Sequence, residues 1–201
     1  LWVHDIHVGN PSDEQLAAAD EIFCLSKWHK DFFCGAYRLL DPNKVVVTRN
    51  GIDVARFAQE PVKIGNRLIY TSSPDRGLLT LLRDWPRICL EHPGSTLEVA
   101  YGWKRFLACQ GGRPEGRVFR AAMDRLMGQE GIASRGQISR AEIAAAYWEA
   151  EYWVHPLNRA ESELFCLNAV KAAHCGTLAV VNRIGALQDT VTRWIDYPAF
   201  V

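Results

Sequence analysis

Short apolar runs alternate with longer segments whose apolar residues recur at helical spacing, almost from one end of the chain to the other. Residues 1–6, 21–25, 44–47, 67–70, 96–101, 134–138, 152–155 and 178–181 read as strands, each brief and rich in aliphatic or aromatic side chains. Helices are predicted over 26–40, 74–90, 115–129, 140–150, 163–174 and 186–194. The second of these opens on Ser73-Pro74-Asp75 and places Leu78, Leu81, Leu82 and Trp85 on one face. Cys175-Gly176 supplies a stop for the fifth. Strands alternating with helices predict an α/β fold, a Rossmann-like parallel sheet with helices on both faces.

A boundary falls after Asn50-Gly51-Ile52-Asp53, where a turn-forming pair leads into a polar stretch. Residues 1–60 hold three strands and one convincing helix, too little for an independent two-sided domain. They read as a partial α/β segment and linker, and 61–201 as a Rossmann-like domain. Because both ends of the chain lie within patterned sequence, it is expected to be a piece of a longer polypeptide.

Charge and cysteine content narrow the picture. Lys plus Arg and Asp plus Glu both number 23, so the net charge is zero. A surface that binds nucleic acid through phosphate contacts normally carries a basic excess. No run approaches the roughly 20 apolar residues that span a bilayer, and the first residues lack the features of a signal peptide. The expectation is a cytoplasmic protein with no transmembrane segment, with peripheral membrane contact left open. Cys24, Cys34, Cys89, Cys109, Cys166 and Cys175 are scattered without a C-x-x-C pair, which favours buried thiols over metal or disulfide roles.

In an open parallel sheet, ligands bind beyond the carboxyl ends of strands. Two loops there carry chemistry. In Tyr70-Thr71-Ser72-Ser73-Pro74-Asp75-Arg76-Gly77, small hydroxyl residues leave a strand and an arginine stands in the predicted first helical turn, against the helix dipole. Capture of a diphosphate by Arg76, Ser72, Ser73 and the helix N–H groups accounts for it; a capped helix with a solvated arginine accounts for it equally. In the second loop, after His155, Glu161 and Glu163 flank a predicted helix start, where they either favour the dipole or face a ligand. His155 divides evenly between structure and ligand contact. His174, in the last turn of a helix, fits a hydrogen bond to terminal carbonyls. Trp85, Trp103, Trp148 and Trp153 fit packing, although Trp103 follows a strand end and is a candidate to line the cleft with Tyr101.

Five motifs occur in order: NGID with Phe57 behind it, YTSSPDRGLLTLL, LEVAYGW, GQIS followed by IAAAYWEAEYWVHP, and E-x-F-C with KAAHCG. Together, over about 45–190, they resemble the C-terminal half of glycosyltransferase family four, and LWVHDI with DEIFCLSKWHKDFF resembles the end of that family's acceptor-side domain. The resemblance implies GT-B architecture, with two Rossmann-like domains facing a cleft. It also implies transfer of a sugar from a nucleotide-diphosphate-sugar donor, with retention, to an unknown acceptor (glycan, lipid or small molecule). No cofactor and no metal are implied. Arg76 takes the place of the family's basic residue on the donor diphosphate, and Thr71 stands where a second arginine is common. Glu163 takes the place of the first acid of a glutamate pair, anchored by Phe165 and Gly176, and contacts the donor sugar. The second acid, whose carboxylate holds the ribose hydroxyls, is replaced by Lys171. An ammonium cannot accept a hydrogen bond. His4-Asp5 resembles an interdomain cleft position.

The resemblance thus gives a catalytic pair, Glu163 and Arg76, and a donor set of Ser72, Ser73, Arg76, Gly77, Tyr101, Trp103, His155, Glu161, Glu163, Phe165 and Lys171. Lys171 motivates an alternative: a degenerate or fragmentary GT-B domain with nucleotide binding or no activity. A nicotinamide-dependent oxidoreductase is disfavoured, since no G-x-G-x-x-G follows a predicted strand.

Overall fold

The computed structural model describes residues 1–4, 11–37, 40–58, 62–159 and 163–201. In chain order, the first elements are α1 (Asp13–Ala18), β1 (Ile22–Cys24), α2 (Lys27–Ala36) and β2 (Val45–Val47). There follow β3 (Ile64–Tyr70), α3 (Leu78–Glu91), β4 (Thr96–Val99), α4 (Lys104–Gln110), α5 (Pro114–Leu126) and β5 (Ile132–Ser134). The remainder comprises α6 (Arg140–Glu149), β6 (Ala150–His155), α7 (Leu167–His174), β7 (Leu178–Val181), α8 (Leu187–Thr190), β8 (Trp194–Asp196) and α9 (Tyr197–Phe200).

Strands β3 to β8 form one parallel sheet in the order β5-β4-β3-β6-β7-β8. Period-two alternation divides their side chains between two cores. Leu68 and Tyr70 of β3, Val154 of β6 and Val180 of β7 pack with Leu81, Trp85 and Ile88 of α3 and Met123 of α5. Ile69, Trp153 and Val181 point the other way, onto Tyr147 of α6, Ala169 of α7 and Leu187 of α8. Helices therefore cover both faces, giving the Rossmann-like α/β fold.

Three features fasten elements of this domain to one another. Glu98 of β4 is buried with Arg135 Nη1 at 2.8 Å and Arg67 Nη2 at 3.9 Å. The Tyr197 hydroxyl donates to Asp84 Oδ2 at 2.8 Å, and the His92 ring stacks on Phe200 with centroids 4.3 Å apart, so α9 folds back onto the end of α3. Asn66 at φ 55° marks an irregularity in β3, where its N–H donates to Glu151 Oε2 at 2.6 Å.

The N-terminal segment has its own small parallel pair, β1 with β2, to which Trp2 adds a bridge at Phe23. Val3, Leu16, Ile22, Phe33, Tyr37 and Val45 form its core. At the start of α2, Ser26 Oγ accepts the N–H of His29 at 3.0 Å, while Asp189 Oδ2, from α8, accepts that of Trp28 at 2.6 Å. Two orphan donors of one helix are thus satisfied, one locally and one from the larger sheet.

Several predicted boundaries shift. The helix predicted from 74 begins at Leu78, because Gly77 adopts φ 96° and interrupts any continuous helix. The helix predicted over 163–174 begins at Leu167, so Glu163 lies in the loop before it. The segment 186–194 is only a four-residue helix, after which Trp194 enters edge strand β8 alongside Ala179. Strand β5 lies at Ile132–Ser134 rather than 134–138, opposite Leu97–Val99. Helices α1, α4 and α9 were not anticipated. All six cysteines are free thiols, three of them buried. Among the described residues no helix is long and apolar enough to cross a membrane.

Candidate functional site

From β3 the chain moves outward through β4 to β5, then returns to lay β6 on the other side of β3. The carboxyl ends of β3 and β6 consequently flank a crevice at the reversal point, the place where open α/β sheets bind ligands. Both loops singled out in the sequence leave from those two strand ends.

The loop after β3 is a tight, internally bonded turn. Arg76 N–H donates to the Ser73 carbonyl at 2.9 Å, and Ser73 Oγ donates to the Asp75 carboxylate. Beneath it the buried Tyr70 hydroxyl lies 2.7 Å from the Ser73 carbonyl and 2.9 Å from that of Arg76. Thr71 is pinned from three sides: its Oγ1 is 2.7 Å from the Tyr147 hydroxyl and accepts from Trp153 Nε1 at 3.2 Å, and its carbonyl accepts from Asn168 Nδ2 at 3.1 Å. At the far end of the loop, a Cβ on Gly77 would stand 2.3 Å from the carbonyl oxygen of Pro156. Close packing of the two loops accounts for Gly77 without a ligand contact.

Arg76 precedes helix α3 and its N-cap Gly77 and does not stand in the first helical turn as the sequence suggested. Its Nη1 lies 3.7 Å from Glu163 Oε2, with the arginine side chain 40% exposed and the glutamate 12%. Burial raises the pKa of the Glu163 carboxyl, opposed by Arg76 and by a hydrogen bond from the Cys166 thiol. The Glu163 carbonyl accepts the N–H of Ala186 at 3.2 Å, anchoring the loop to the turn before α8. His155 is 1% exposed, and neither ring nitrogen has a hydrogen-bond partner. Burial, and then Arg76, lower its pKa to about 3, so the imidazole is neutral and its 4.0 Å approach to Glu163 is not an ion pair. Its ring stacks on Trp153 at 5.3 Å.

Two adjoining cavities open over this crevice. One, of about 370 Å³, is lined by Ser72, Ser73, Asp75 and Arg76 among others. The other, of about 610 Å³, is lined by Lys104, Gln137, Arg140 and Lys171 among others. Thr71, Tyr101 and Asn168 border both. Lys171 Nζ donates to Asn168 Oδ1 at 3.1 Å, and burial lowers its pKa. The ammonium thus pairs with a residue one turn away rather than with Glu163.

The remaining candidates lie apart from the cavities. Trp103 packs edge-on against Phe106 at 5.4 Å, with the Arg120 guanidinium 4.2 Å over its ring. Phe165 is half-buried in the bend before α7. His174 is exposed, edge-on to Phe57 at 5.9 Å and to Trp148 at 6.0 Å. His4 lies beside Trp2. Glu161 and Asp5 fall outside the described residues. Sequence reading missed Asn168, Gln137, Arg140 and Lys104. Only Asn168 carried a local signal, being three residues before Lys171 on one helical face.

No protein-family profile matches the chain, and no curated protein does. Solved structures do. A glycosyltransferase from Rickettsia africae superposes with TM-score 0.68 at 16% identity, covering 92% of this chain and 50% of that one. Anabaena HepE in complex with UDP-glucose gives TM-score 0.67 at 16% identity, over 98% of this chain and 58% of that one. Sucrose-phosphate synthase from Thermosynechococcus elongatus gives 0.66 at 20% identity, over 92% and 48%. The likeness is one of fold, and the chain spans about half the length of these proteins.

Proposed function

We propose that the chain is the donor-binding half of a GT-B glycosyltransferase of the family-four kind, taking a nucleotide-diphosphate sugar in the crevice between β3 and β6. The observation that carries this reading is the convergence of Arg76, Ser72, Ser73 and Glu163 at the reversal point of the sheet. The complex of HepE with UDP-glucose, a protein of the same fold, supports the ligand class.

In this reading Arg76 binds the diphosphate and neutralises the charge that grows on it as the sugar–phosphate bond breaks. Its partial exposure leaves the guanidinium open to a ligand, and its loose approach to Glu163 is readily exchanged for two close contacts with phosphate oxygens. Glu163 then accepts hydrogen bonds from sugar hydroxyls and orients the anomeric carbon. Neutral His155, buried beside Glu163, adds no positive charge there. Retention would be read from the anomeric configuration of the first product formed.

Calorimetry with UDP, GDP, ADP and dTDP tests the assignment: one of them binds, and Arg76→Ala weakens it by about ten- to a hundredfold. Unchanged affinity in the variant would overturn it. A second reading, a nucleotide-binding domain without transfer activity, is favoured by Lys171, which cannot accept hydrogen bonds from a ribose diol. Binding without turnover of any sugar nucleotide would select it.

A further inference from the structure

The larger cavity is chemically one-sided. Of its thirteen lining residues three are cations, Lys104, Arg140 and Lys171, and none is a carboxylate. Among the described residues no ion pair involves any of the three. Lys104 and Arg140 occupy the first positions of α4 and α6, where a positive charge opposes the helix dipole. The N–H groups at the start of α6 gain nothing from them, since Ser139 and Glu142 already close a capping box there. Lys171 is held by design of its neighbours: Asn168 accepts from its Nζ at 3.1 Å and is itself fixed by donating to the Thr71 carbonyl. Of its three donors one is used, and among the described residues the half-buried ammonium has no counter-charge.

A half-buried cation such as Lys171 costs stability when it lacks a counter-charge, and Lys104 and Arg140, though exposed to solvent, add positive potential to the same cavity. An anion in the cavity relieves both. The same cavity holds no carboxylate to accept hydrogen bonds from a bare diol. We infer that the cavity lined by Lys171, Lys104 and Arg140 takes a second anionic group, a phosphate or carboxylate, of the same small molecule whose diphosphate lies against Arg76. Continuity of the two cavities through Thr71, Tyr101 and Asn168 lets one ligand reach both. This inference rests on the donor-site reading of the Arg76 crevice and adds to it the charge of the substrate: a nucleotide with a phosphorylated ribose, or one with an acidic sugar.

Calorimetry with pairs of probes that differ by one anionic group separates these sources. UDP-glucuronate against UDP-glucose tests an acidic sugar; 3′-phospho-ADP against ADP, and guanosine 3′,5′-bisdiphosphate against GDP, test a phosphorylated ribose. In at least one pair the more anionic member binds about tenfold tighter or more, the worth of one charge-assisted hydrogen bond. Lys171→Gln brings that ratio to about one, and Lys104→Gln or Arg140→Gln lowers it, with unchanged thermal unfolding showing that each variant is folded. Equal affinities within every pair, with Arg76→Ala weakening both members, would overturn this inference and leave the donor-site reading standing. Absence of binding by all six probes would overturn both.

Discussion

Gly77 and Pro156 meet across the crevice between β3 and β6, with no room for a side chain between them. A methyl group at Gly77 would lie 2.3 Å from the Pro156 carbonyl oxygen, and the φ of 96° is one that L-residues rarely adopt. Contact and strain act in the same direction. Gly77→Ala is expected to lower stability by roughly 2–4 kcal/mol, seen as a shift of the urea midpoint without a change in slope. A variant as stable as the parent would mean that the two loops are free to separate.

The opposite pKa shifts of His155 and Glu163 give opposite pH dependences. The folded-state pKa of His155, about 3, lies below its ordinary value of 6.5. The stability it contributes is therefore present above 6.5 and lost as the pH falls towards 3, at up to about 1.4 kcal/mol per pH unit. His155→Phe should flatten the acid limb of a stability profile between those values, measured by urea unfolding at several pH values.

For Glu163 the folded-state pKa is raised. The stability from this group is present below the ordinary carboxyl range and lost as the pH rises through the raised value. Glu163→Gln should unfold at a higher temperature than the parent at pH 7, with the difference vanishing near pH 3. Differential scanning calorimetry at both pH values decides it, and a variant less stable at pH 7 would show that the contact with Arg76 outweighs burial.

Much of this architecture was legible in local pattern. Strands β3, β4, β6 and β7 and helices α3 and α5 announce themselves through apolar periodicity, because their apolar residues pack with the sheet, whereas the apolar residues of α6 are not confined to one face. Strand β5 does not, because only Ile132 of its three residues is even partly buried and its position is set by pairing with Leu97–Val99. Trp194 read as helix for the same reason: edge strand β8 exists only through its neighbour β7. Arg76 and Glu163 were both selected from the sequence, but their approach to 3.7 Å follows from the order of strands. Nothing local joins Lys104, Arg140 and Lys171, which come from three helices and meet only in the folded sheet.

Buried Glu98 holds Arg135 and Arg67 across the outer strands. Glu98→Ala leaves both guanidiniums without it and is expected to cost roughly 1–3 kcal/mol, reduced from a fully buried pair by their exposure to water. Urea unfolding checks the magnitude, and a loss of a few tenths would place the network among ordinary surface pairs.

Asp189→Ala removes the acceptor for the Trp28 N–H and is expected to cost about 1 kcal/mol. Hydrogen exchange at the Trp28 amide should accelerate by about fivefold or more, the exchange equivalent of that energy. An unaffected amide would mean that α2 holds its own first turn.

Helix α8 has a use out of proportion to its four residues. Asp189 grips the start of α2, and three positions earlier Ala186 grips the loop that carries Glu163. The small N-terminal sheet and the loop of Glu163 therefore share one support. A single turn of backbone at 186–189 joins them, a far shorter connection than the chain that separates them.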